Sequence, residues 1–202
     1  MKLYDLKTGM NPRRVRIFLA EKGVAIDKID VDMLGGENKR VEFLSKNPMG
    51  TMPVLELDSG EYISESMAIC RYFEELHPTP NLFGETTLER ARIEMWNRRM
   101  ELEVMSPITE GFVHLSPFWV GRRPQIAQYG ELAQSKVKQH LSWIDSELAT
   151  RDYLVGSRYT VADITLQCAL LLGRNTGVPV PESLPNLQRW YKNVTARPTA
   201  RA

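Results

Sequence analysis

The stretch NPMGTMPVLELDSGEYISES, residues 47–66, decides the fold of the first part of the chain. Val54–Leu57 has the pattern of a buried strand, Asp58–Gly60 that of a turn and Tyr62–Ile63 that of a second strand, which predicts a β-hairpin. Directly after it, apolar residues recur at helical spacing over Glu65–Leu76 and predict a helix. A strand pair that leads straight into a helix indicates an α/β unit.

Strand and helix signals also alternate upstream of the hairpin. Leu3–Leu6 is predicted as a strand. The next helix is predicted to have Pro12 at its first position, a basic face, and an end at Gly23. Ile29–Met33 alternates with aspartates like a half-buried strand, and Asn38–Lys46 predicts a short polar helix. The order βαβαββα predicts an α/β sheet domain.

A Pro-rich connector over His77–Thr87 is the predicted domain boundary, because every segment beyond it has a helical pattern. We expect an α/β domain over residues 1–79 and an all-helical domain over residues 86–202. The two architectures differ, so each domain must bury its own core.

Capping-box spacing at Thr86–Glu89 and Thr160–Asp163 predicts two helix starts in the helical part. The helix after Thr160–Asp163 is apolar on nearly all sides, which is typical of a central buried helix. We expect Pro107 to bend the long helix that begins near Thr86–Glu89, and Pro124 to start the next helix.

The composition argues against several classes of protein. The formal net charge of +1 does not point to nucleic acid or to a charged membrane surface as a partner. No apolar run approaches the roughly 18 residues of a transmembrane helix, and the N-terminus lacks the segments of a signal peptide. Cys70 and Cys168 match neither a metal site nor a redox pair. We therefore expect no metal, and reduced thiols in the cytoplasm.

The Met52-Pro53 pair stands immediately before the first strand of the hairpin. Two interpretations are open: a trans proline, which is common at a strand start, and a cis bond, which costs only about 0.5–1 kcal/mol before proline. A cis bond would turn the backbone N–H and C=O of Met52 outward, where an extended, peptide-like ligand could pair with them.

Glu65 and Ser66 stand where the helix after the hairpin begins. One interpretation is structural: Ser64 or Ser66 caps the helix by accepting from its first N–H groups. The other uses the same physics for binding, because open N–H groups, a hydroxyl and the helix dipole hold a ligand carboxylate. Glu65 would then hold a ligand ammonium, so the pair would suit the free end of an α-amino acid.

Four segments together resemble the cytosolic glutathione transferases: YDLKTGMNPRRVRIFLAEKG, NPMGTMPVLEL, ESMAICRYFEELHP and GSRYTVADI. They occur in order over essentially the whole chain, and the first is most similar to fungal and bacterial members. The resemblance implies an N-terminal thioredoxin-like domain, an all-helical C-terminal domain and a homodimer, with glutathione as co-substrate.

The resemblance also implies roles for individual residues. Pro53 is similar to the family's cis-proline, and Met52 would pair through its backbone with the cysteinyl part of glutathione. Glu65-Ser66 matches the pair that holds the γ-glutamyl end. Asn38 and Lys39 stand where members often contact the glycyl carboxylate.

The turn Lys7–Asn11 departs from the family pattern. Many members have Tyr, Ser or Cys in this region, where it helps to hold the glutathione thiolate. Alignment on Pro12 puts Met10 at the serine position, and a methionine cannot donate a hydrogen bond. Thr8 and Asn11 lie nearby and are the remaining polar candidates at this turn.

A hydroxyl is not essential on energetic grounds. Lowering a thiol pKa from about 8.5 by two units takes roughly 2.7 kcal/mol. A helix N-terminus supplies about 0.3–2 kcal/mol and one charged hydrogen bond about 1.5–3 kcal/mol. Open N–H groups at Asn11, Arg13 or Arg14, with one water or amide donor, could supply this amount.

Thr109 and His114 follow Pro107 in a segment that borders the cleft in the family that the chain resembles. His114 could accept the thiol proton through a water, because its reference pKa is near neutrality. A local backbone contact for Thr109 and a helix-end position for His114 are the plain alternatives. Either an apolar pocket for the electrophile or ordinary core packing would account for the nearby aromatic residues Phe112, Phe118 and Trp119.

The predicted function is conjugation of the glutathione thiolate to a hydrophobic electrophile. One alternative is a glutathione-dependent disulfide reductase or peroxidase, which needs the thiolate but no strong apolar pocket. Another is a non-catalytic glutathione- or ligand-binding protein, which the missing hydroxyl favours. An isomerase of the maleylacetoacetate type is disfavoured, because its Ser/Cys-rich turn is absent from Lys7–Asn11.

Overall fold

The computed structural model describes all 202 residues and divides the chain into two compact units. Unit 1 comprises Met1–Asn81 and Arg201–Ala202, and unit 2 comprises Leu82–Ala200. Unit 1 contains a four-stranded sheet with helices, whereas unit 2 is helical. The predicted fold class of an α/β part followed by an all-helical part is confirmed.

The elements of unit 1 occur in the predicted order. They are β1 (Lys2–Asp5), α1 (Met10–Glu21), β2 (Asp27–Asp30), a 3₁₀ turn (Glu37–Lys39), α2 (Val41–Leu44), β3 (Val54–Glu56), β4 (Tyr62–Ser64) and α3 (Ser66–Leu76). The sheet order is β2-β1-β3-β4; β2 is parallel to β1, and the other two neighbouring pairs are antiparallel. This mixed sheet agrees with the thioredoxin-like domain that the resemblance implies.

The strand predicted at Ile29–Met33 is displaced in the structure. β2 pairs with β1 only from Asp27 to Asp30 and ends there. Val31 and Met33 lie beyond the ladder and pack with Phe43 of α2. Their apolar alternation therefore reports burial against α2, although the Val31 N–H still donates to the Asp5 carbonyl at the end of β1 (2.9 Å).

Two helix predictions in unit 1 need correction. α1 begins at Met10, so Pro12 is its third residue and not its first; the extended Gly9 (ψ 136°) ends the turn before it. Pro12 still costs no hydrogen bond, because the N–H groups of a first helical turn have no partner inside the helix. The helix predicted at Asn38–Lys46 is interrupted by the extended Arg40 (ψ 154°), which separates the 3₁₀ turn from α2.

Unit 2 consists of helices and short helical turns. They are α4 (Thr87–Arg99), a π-helical segment (Met100–Met105), α5 (Ser106–Leu115), a 3₁₀ turn (Pro117–Trp119), α6 (Ala127–Glu147), a 3₁₀ turn (Leu148–Thr150), α7 (Val161–Asn175), α8 (Pro185–Thr195) and a final 3₁₀ turn (Pro198–Arg201). None of the helices in the chain combines the length and the apolar character needed to cross a membrane.

The long helix contains a widened, π-helical turn just before Pro107, where a bend is predicted. The six residues Met100–Met105 are π-helical, and the N–H of Ser106 donates to the carbonyl of Glu101, five residues earlier. Pro107 has no N–H to pair with the carbonyl of Glu103, and the wider turn accommodates this loss.

The helix predicted to start at Pro124 starts three residues later, at Ala127. Ile126 is extended (φ −130°, ψ 99°), and its N–H donates to Nδ1 of His114 (3.0 Å). Gln125 Nε2 donates to two carbonyls at the end of α5, at 2.8 and 2.9 Å. These non-local bonds hold the segment after Pro124 away from helical geometry.

α7 is the buried centre of unit 2, as predicted, and Thr160 and Asp163 form the predicted capping box. One carboxylate oxygen of Asp163 accepts from the N–H and the hydroxyl of Thr160, both at 3.0 Å. The other accepts from the N–H of Leu154 (3.0 Å) and the indole N–H of Trp190 (2.9 Å). Asp163 therefore joins α7 to α8 and to the preceding loop.

Candidate functional site

The predicted binding residues of unit 1 gather at one edge of the sheet. Val54, the first residue of β3, pairs with Tyr4 near the end of β1 and with Ser64 at the end of β4. Paired residues of antiparallel strands lie about 5 Å apart. The turn after β1, the Met52-Pro53 pair and the start of α3 therefore share this edge.

Met52 offers an unused pair of backbone groups at this edge. The Met52–Pro53 peptide bond is cis. The Met52 side chain is buried with Val31, Phe43 and Val54. Its N–H and C=O precede the ladder, and neither makes a hydrogen bond within the chain. These are the groups with which an extended ligand pairs when it adds to a sheet.

Glu65 is the only non-glycine residue of the chain with a positive φ (67°). A non-glycine residue in this region costs about 1–3 kcal/mol, and such strain clusters at functional sites. The Glu65 carboxylate is exposed and has no hydrogen bond or ion pair within the chain. It is thus available to a ligand ammonium.

Ser66 begins α3 and is only 6% exposed. Neither its hydroxyl nor that of Ser64 caps the helix, so the capping interpretation is wrong. Arg14 Nη1 instead donates to Ser66 Oγ (3.1 Å). The hydroxyl keeps its own proton to donate, and together with the first N–H groups of α3 it forms a donor set for a carboxylate.

Sequence reasoning missed Arg14. The sequence pattern predicts a basic face on α1, whereas in the structure Arg14 is fully buried and Arg16 is only 8% exposed. Arg16 pairs with the Asp5 carboxylate (2.6 Å) and donates to the Lys7 carbonyl (2.9 Å), which fixes the turn before α1. The Arg14–Ser66 contact depends on how α1 packs against α3, and no local pattern contains that information.

Two backbone N–H groups are open at the start of α1. Arg13 N–H donates to the Gly9 carbonyl (3.0 Å), and Arg14 N–H pairs with Met10 inside the helix. The open donors expected at Arg13 and Arg14 are therefore occupied. The N–H groups of Met10 and Asn11 have no partner in the chain. They lie at the positive end of the α1 dipole, which therefore faces this turn.

The polar side chains of the same turn are not fixed by contacts. Thr8 and Asn11 are exposed and form no hydrogen bond within the chain. Met10, at the position of the family's serine, is partly buried. No hydroxyl is held in place at this turn.

Asn38 and Lys39 have different surroundings. Asn38 Nδ2 donates to the Gly50 carbonyl (2.7 Å) and so braces the loop that leads to Met52. Gly50 has φ 62°, and a Cβ there would lie 2.9 Å from the Asn38 carbonyl oxygen, so this close approach requires glycine. Lys39 is exposed without a partner, which leaves its ammonium to a ligand carboxylate.

Lys46 fastens the chain after α2 to the sheet. Its Nζ lies 5.4 Å and 5.0 Å from the ring centres of Tyr4 and Tyr62 and donates to the Tyr62 hydroxyl (3.2 Å). That hydroxyl raises the pKa of Lys46. Burial and the Glu56 carboxylate raise the pKa of Tyr4, whose hydroxyl donates to Glu56 (2.7 Å). The same bond lowers the pKa of Glu56, so Lys46, Tyr4 and Glu56 keep their usual charges at neutral pH.

Thr109 and His114 of unit 2 both have local partners. Thr109 Oγ1 donates to the Met105 carbonyl (2.8 Å), so this residue makes the local backbone contact that was the alternative to a catalytic role. His114 accepts from the Ile126 N–H at Nδ1, and its Nε2 lies 3.4 Å from the Glu110 carboxylate. Neither ring nitrogen of His114 is left without a neighbour, so a role in proton transfer requires one contact to open.

Phe112, Phe118 and Trp119 form one aromatic cluster in unit 2. Phe112 stacks on Phe118 with 6.1 Å between ring centres, and Trp119 meets Phe112 and Phe118 edge-on at 5.9 and 5.0 Å. All three rings keep some exposure to solvent. The cluster therefore presents an accessible apolar surface rather than a closed core.

Family models match both parts of the chain. The family model for the glutathione S-transferase N-terminal domain matches residues 10–76, and that for the C-terminal domain matches residues 96–198. Glutathione S-transferase 2 of Saccharomyces cerevisiae is 38% identical, with 100% of this chain and 88% of the relative covered. Maleylacetoacetate isomerase of Pseudomonas aeruginosa is 29% identical, with 100% and 94% covered.

A solved structure is similar to this chain at nearly the same sequence identity. The crystal structure of Gtt2 from Saccharomyces cerevisiae superposes with a TM-score of 0.92 at 37% sequence identity. The superposition covers 100% of this chain and 99% of that one.

Proposed function

The chain belongs to the glutathione S-transferase family, and we propose that it joins the glutathione thiolate to hydrophobic electrophiles. One observation carries the proposal: the Glu65 carboxylate, the Ser66 hydroxyl and the unused backbone pair of Met52 share one edge of the sheet. An ammonium acceptor, a carboxylate donor set and a free peptide-pairing group match the γ-glutamyl-cysteinyl part of glutathione. Lys39 would take the glycyl carboxylate, with Asn38 bracing the loop beside it.

In this proposal the thiolate lies at the start of α1. The N–H groups of Met10 and Asn11 are open there, and α1 is long enough to contribute its dipole. One charged hydrogen bond of about 1.5–3 kcal/mol and a dipole term of about 0.3–1 kcal/mol together approach the roughly 2.7 kcal/mol needed. The Asn11 amide would supply any remainder.

A panel of glutathione-dependent assays tests the proposed function. An aryl halide, a disulfide and a peroxide should be offered to the purified protein. We expect conjugation of the aryl halide, in which the sulfur forms the C–S bond and the halide leaves with the electron pair of its C–X bond. Turnover of the disulfide or the peroxide alone would favour the reductase or peroxidase alternative. Binding of glutathione without any turnover would favour a binding protein.

A pair of substitutions separates a backbone mechanism from a hydroxyl mechanism. Met10→Pro removes one of the two open N–H groups at the first position of α1, where proline is tolerated, and the preceding Gly9 (ψ 136°) has the extended conformation that proline requires. We expect the pKa of the bound thiol to rise by about one unit and turnover at neutral pH to fall roughly tenfold. Thr8→Ala should change turnover by less than about twofold, because its exposed hydroxyl has no fixed position.

The reverse ranking in steady-state kinetics would restore a hydroxyl mechanism. A large loss with Thr8→Ala and none with Met10→Pro would show that the side chain, not the backbone, holds the sulfur. Unchanged circular dichroism would establish that both variants keep α1.

We further propose a cytoplasmic homodimer that serves in detoxification. Three apolar side chains at seven-residue spacing are exposed along α4 and the π-helical segment: Leu88 at 60%, Met95 at 41% and Leu102 at 52%. Such a stripe is typical of a surface that packs against another helix. Neither cysteine of the chain forms a disulfide, which fits a reducing compartment.

A further inference from the structure

Buried polar contacts join α1 to α3 near both ends of the two helices. Near their C-terminal ends, Lys22 Nζ lies 2.6 Å from the Glu74 carboxylate, and both side chains are buried. Near their N-terminal ends, Arg14 Nη1 donates to Ser66 Oγ (3.1 Å), and Arg14 is fully buried. The first contact pairs opposite charges, whereas the second places a cation on a neutral hydroxyl at the start of α3.

Arg14 decides the direction of the Ser66 hydroxyl. A guanidinium carries only donors, so Ser66 Oγ must be the acceptor of this hydrogen bond. The O–H proton of Ser66 has no acceptor within the chain, although the residue is only 6% exposed. Since buried donors in native proteins normally have a partner, this proton points to an acceptor that a ligand supplies.

The contact with Arg14 also limits which ligand group Ser66 can serve. A serine hydroxyl that turns freely can donate or accept, so it suits a carboxamide, which carries N–H donors, as well as a carboxylate, which only accepts. The guanidinium occupies Ser66 Oγ, and its permanent positive charge opposes a second donor at that atom. Ser66 is thereby restricted to donating, and a negatively charged acceptor forms the stronger hydrogen bond with it.

We propose that Arg14 is a positioning residue that makes the start of α3 selective for an ionised carboxylate, and that it acts through the Ser66 hydroxyl. Because Arg14 is fully buried, it acts from within the protein rather than by contact with the ligand. The inference rests on the proposed function and deepens it, because it assigns to a buried residue of α1 the distinction between the acid and the amide of the γ-glutamyl end.

A matched pair of ligands tests this selectivity by calorimetry. One is glutathione, and the other is its analogue with a carboxamide in place of the α-carboxylate of the γ-glutamyl residue. We expect the unmodified protein to bind glutathione about tenfold more tightly than the amide, because a hydrogen bond to a charged group is the stronger one. Arg14→Gln should weaken glutathione binding about tenfold and amide binding less than about threefold. Arg14→Lys keeps the charge and a donor, so it should recover part of the preference.

The other end of the helix pair provides the control. Lys22→Gln also removes a buried cation between α1 and α3, beside Glu74 and far along both helices from Ser66. It should lower Tm but leave the ratio of the two affinities unchanged. An equal loss of selectivity in Lys22→Gln and Arg14→Gln would assign the effect to helix packing in general and overturn the role of Arg14.

A double-mutant cycle tests whether Arg14 acts through Ser66. Once Ser66→Ala has removed the hydroxyl, adding Arg14→Gln should weaken glutathione binding by less than about threefold, because residues in one hydrogen-bond network are not additive. A second full tenfold loss would show that Arg14 acts independently of Ser66 and would overturn the inference.

Binding and turnover separate this inference from the proposed function. If the protein binds glutathione with the expected selectivity but conjugates no electrophile, the proposed function fails and the role of Arg14 stands. Equal affinity of the unmodified protein for glutathione and the amide overturns the role of Arg14, even if glutathione is conjugated. If glutathione does not bind at all, both are overturned.

Discussion

Glu65→Ala/Ser66→Ala should lower the affinity for glutathione by about a hundredfold or more, and Ser66→Ala alone by roughly tenfold. The single substitution removes a hydroxyl donor from a ligand carboxylate, and a hydrogen bond to a charged group contributes about 1.5–3 kcal/mol. The double variant also removes the only carboxylate available to the ligand ammonium at the start of α3. Retention on immobilised glutathione and calorimetry measure both steps.

The same hairpin provides a matched control. Ser59 and Glu61 lie at its exposed turn, at the opposite end from Glu65 and Ser66, and their side chains form hydrogen bonds only within this pair. Ser59→Ala/Glu61→Ala should be retained like the unmodified protein. Full retention of Glu65→Ala/Ser66→Ala would remove the start of α3 from the binding site altogether.

Asp163→Ala should lower the free energy of unfolding by about 4 kcal/mol. Four donors lose their acceptor in the core of unit 2: the N–H and hydroxyl of Thr160, the N–H of Leu154 and the indole of Trp190. Each buried donor left without a partner costs about 1–3 kcal/mol, and local relaxation recovers part of the sum. A fall of roughly 10 °C in Tm is expected in thermal denaturation. Asp152→Ala, at an exposed aspartate nearby, should shift Tm by no more than about 2 °C.

The Tm of Asp163→Asn should lie between those of Asp163→Ala and Asp152→Ala, because an amide offers one acceptor oxygen where the carboxylate offers two. Burial raises the pKa of Asp163 above its ordinary value of 3.8, so the folded state binds this proton more tightly than the unfolded chain does. The stability advantage of Asp163 over Asn should therefore grow as pH falls from the raised pKa toward 3.8, and shrink as pH rises. An advantage that instead shrank on acidification would show that the carboxylate is stabilised in its charged form.

Much of the sheet edge that carries the proposed binding residues could be predicted from local patterns. The hairpin, the helix after it and the Glu65-Ser66 pair follow from strand alternation and helical spacing in one continuous stretch. The capping box at Thr160 and Asp163 is likewise local, because both partners lie in a single helical turn.

Features that depend on packing between distant segments could not be predicted in this way. Arginine is usually a surface residue, and Arg14 reaches Ser66 only because α1 packs against α3. The late start of α6 depends on the bond from Ile126 to His114 twelve residues earlier. The positive φ of Glu65 could not be predicted from its residue type, since glutamate rarely adopts a positive φ.

Unit 1 is proposed to bind glutathione and to hold its sulfur as a thiolate without a fixed hydroxyl. The most direct measurement is the ultraviolet absorbance of the thiolate of bound glutathione, followed as a function of pH. We predict an apparent thiol pKa about two units below the roughly 8.5 of a free thiol, so that thiolate absorbance is present at neutral pH. A bound thiol that titrates near 8.5 would show that unit 1 does not stabilise the thiolate.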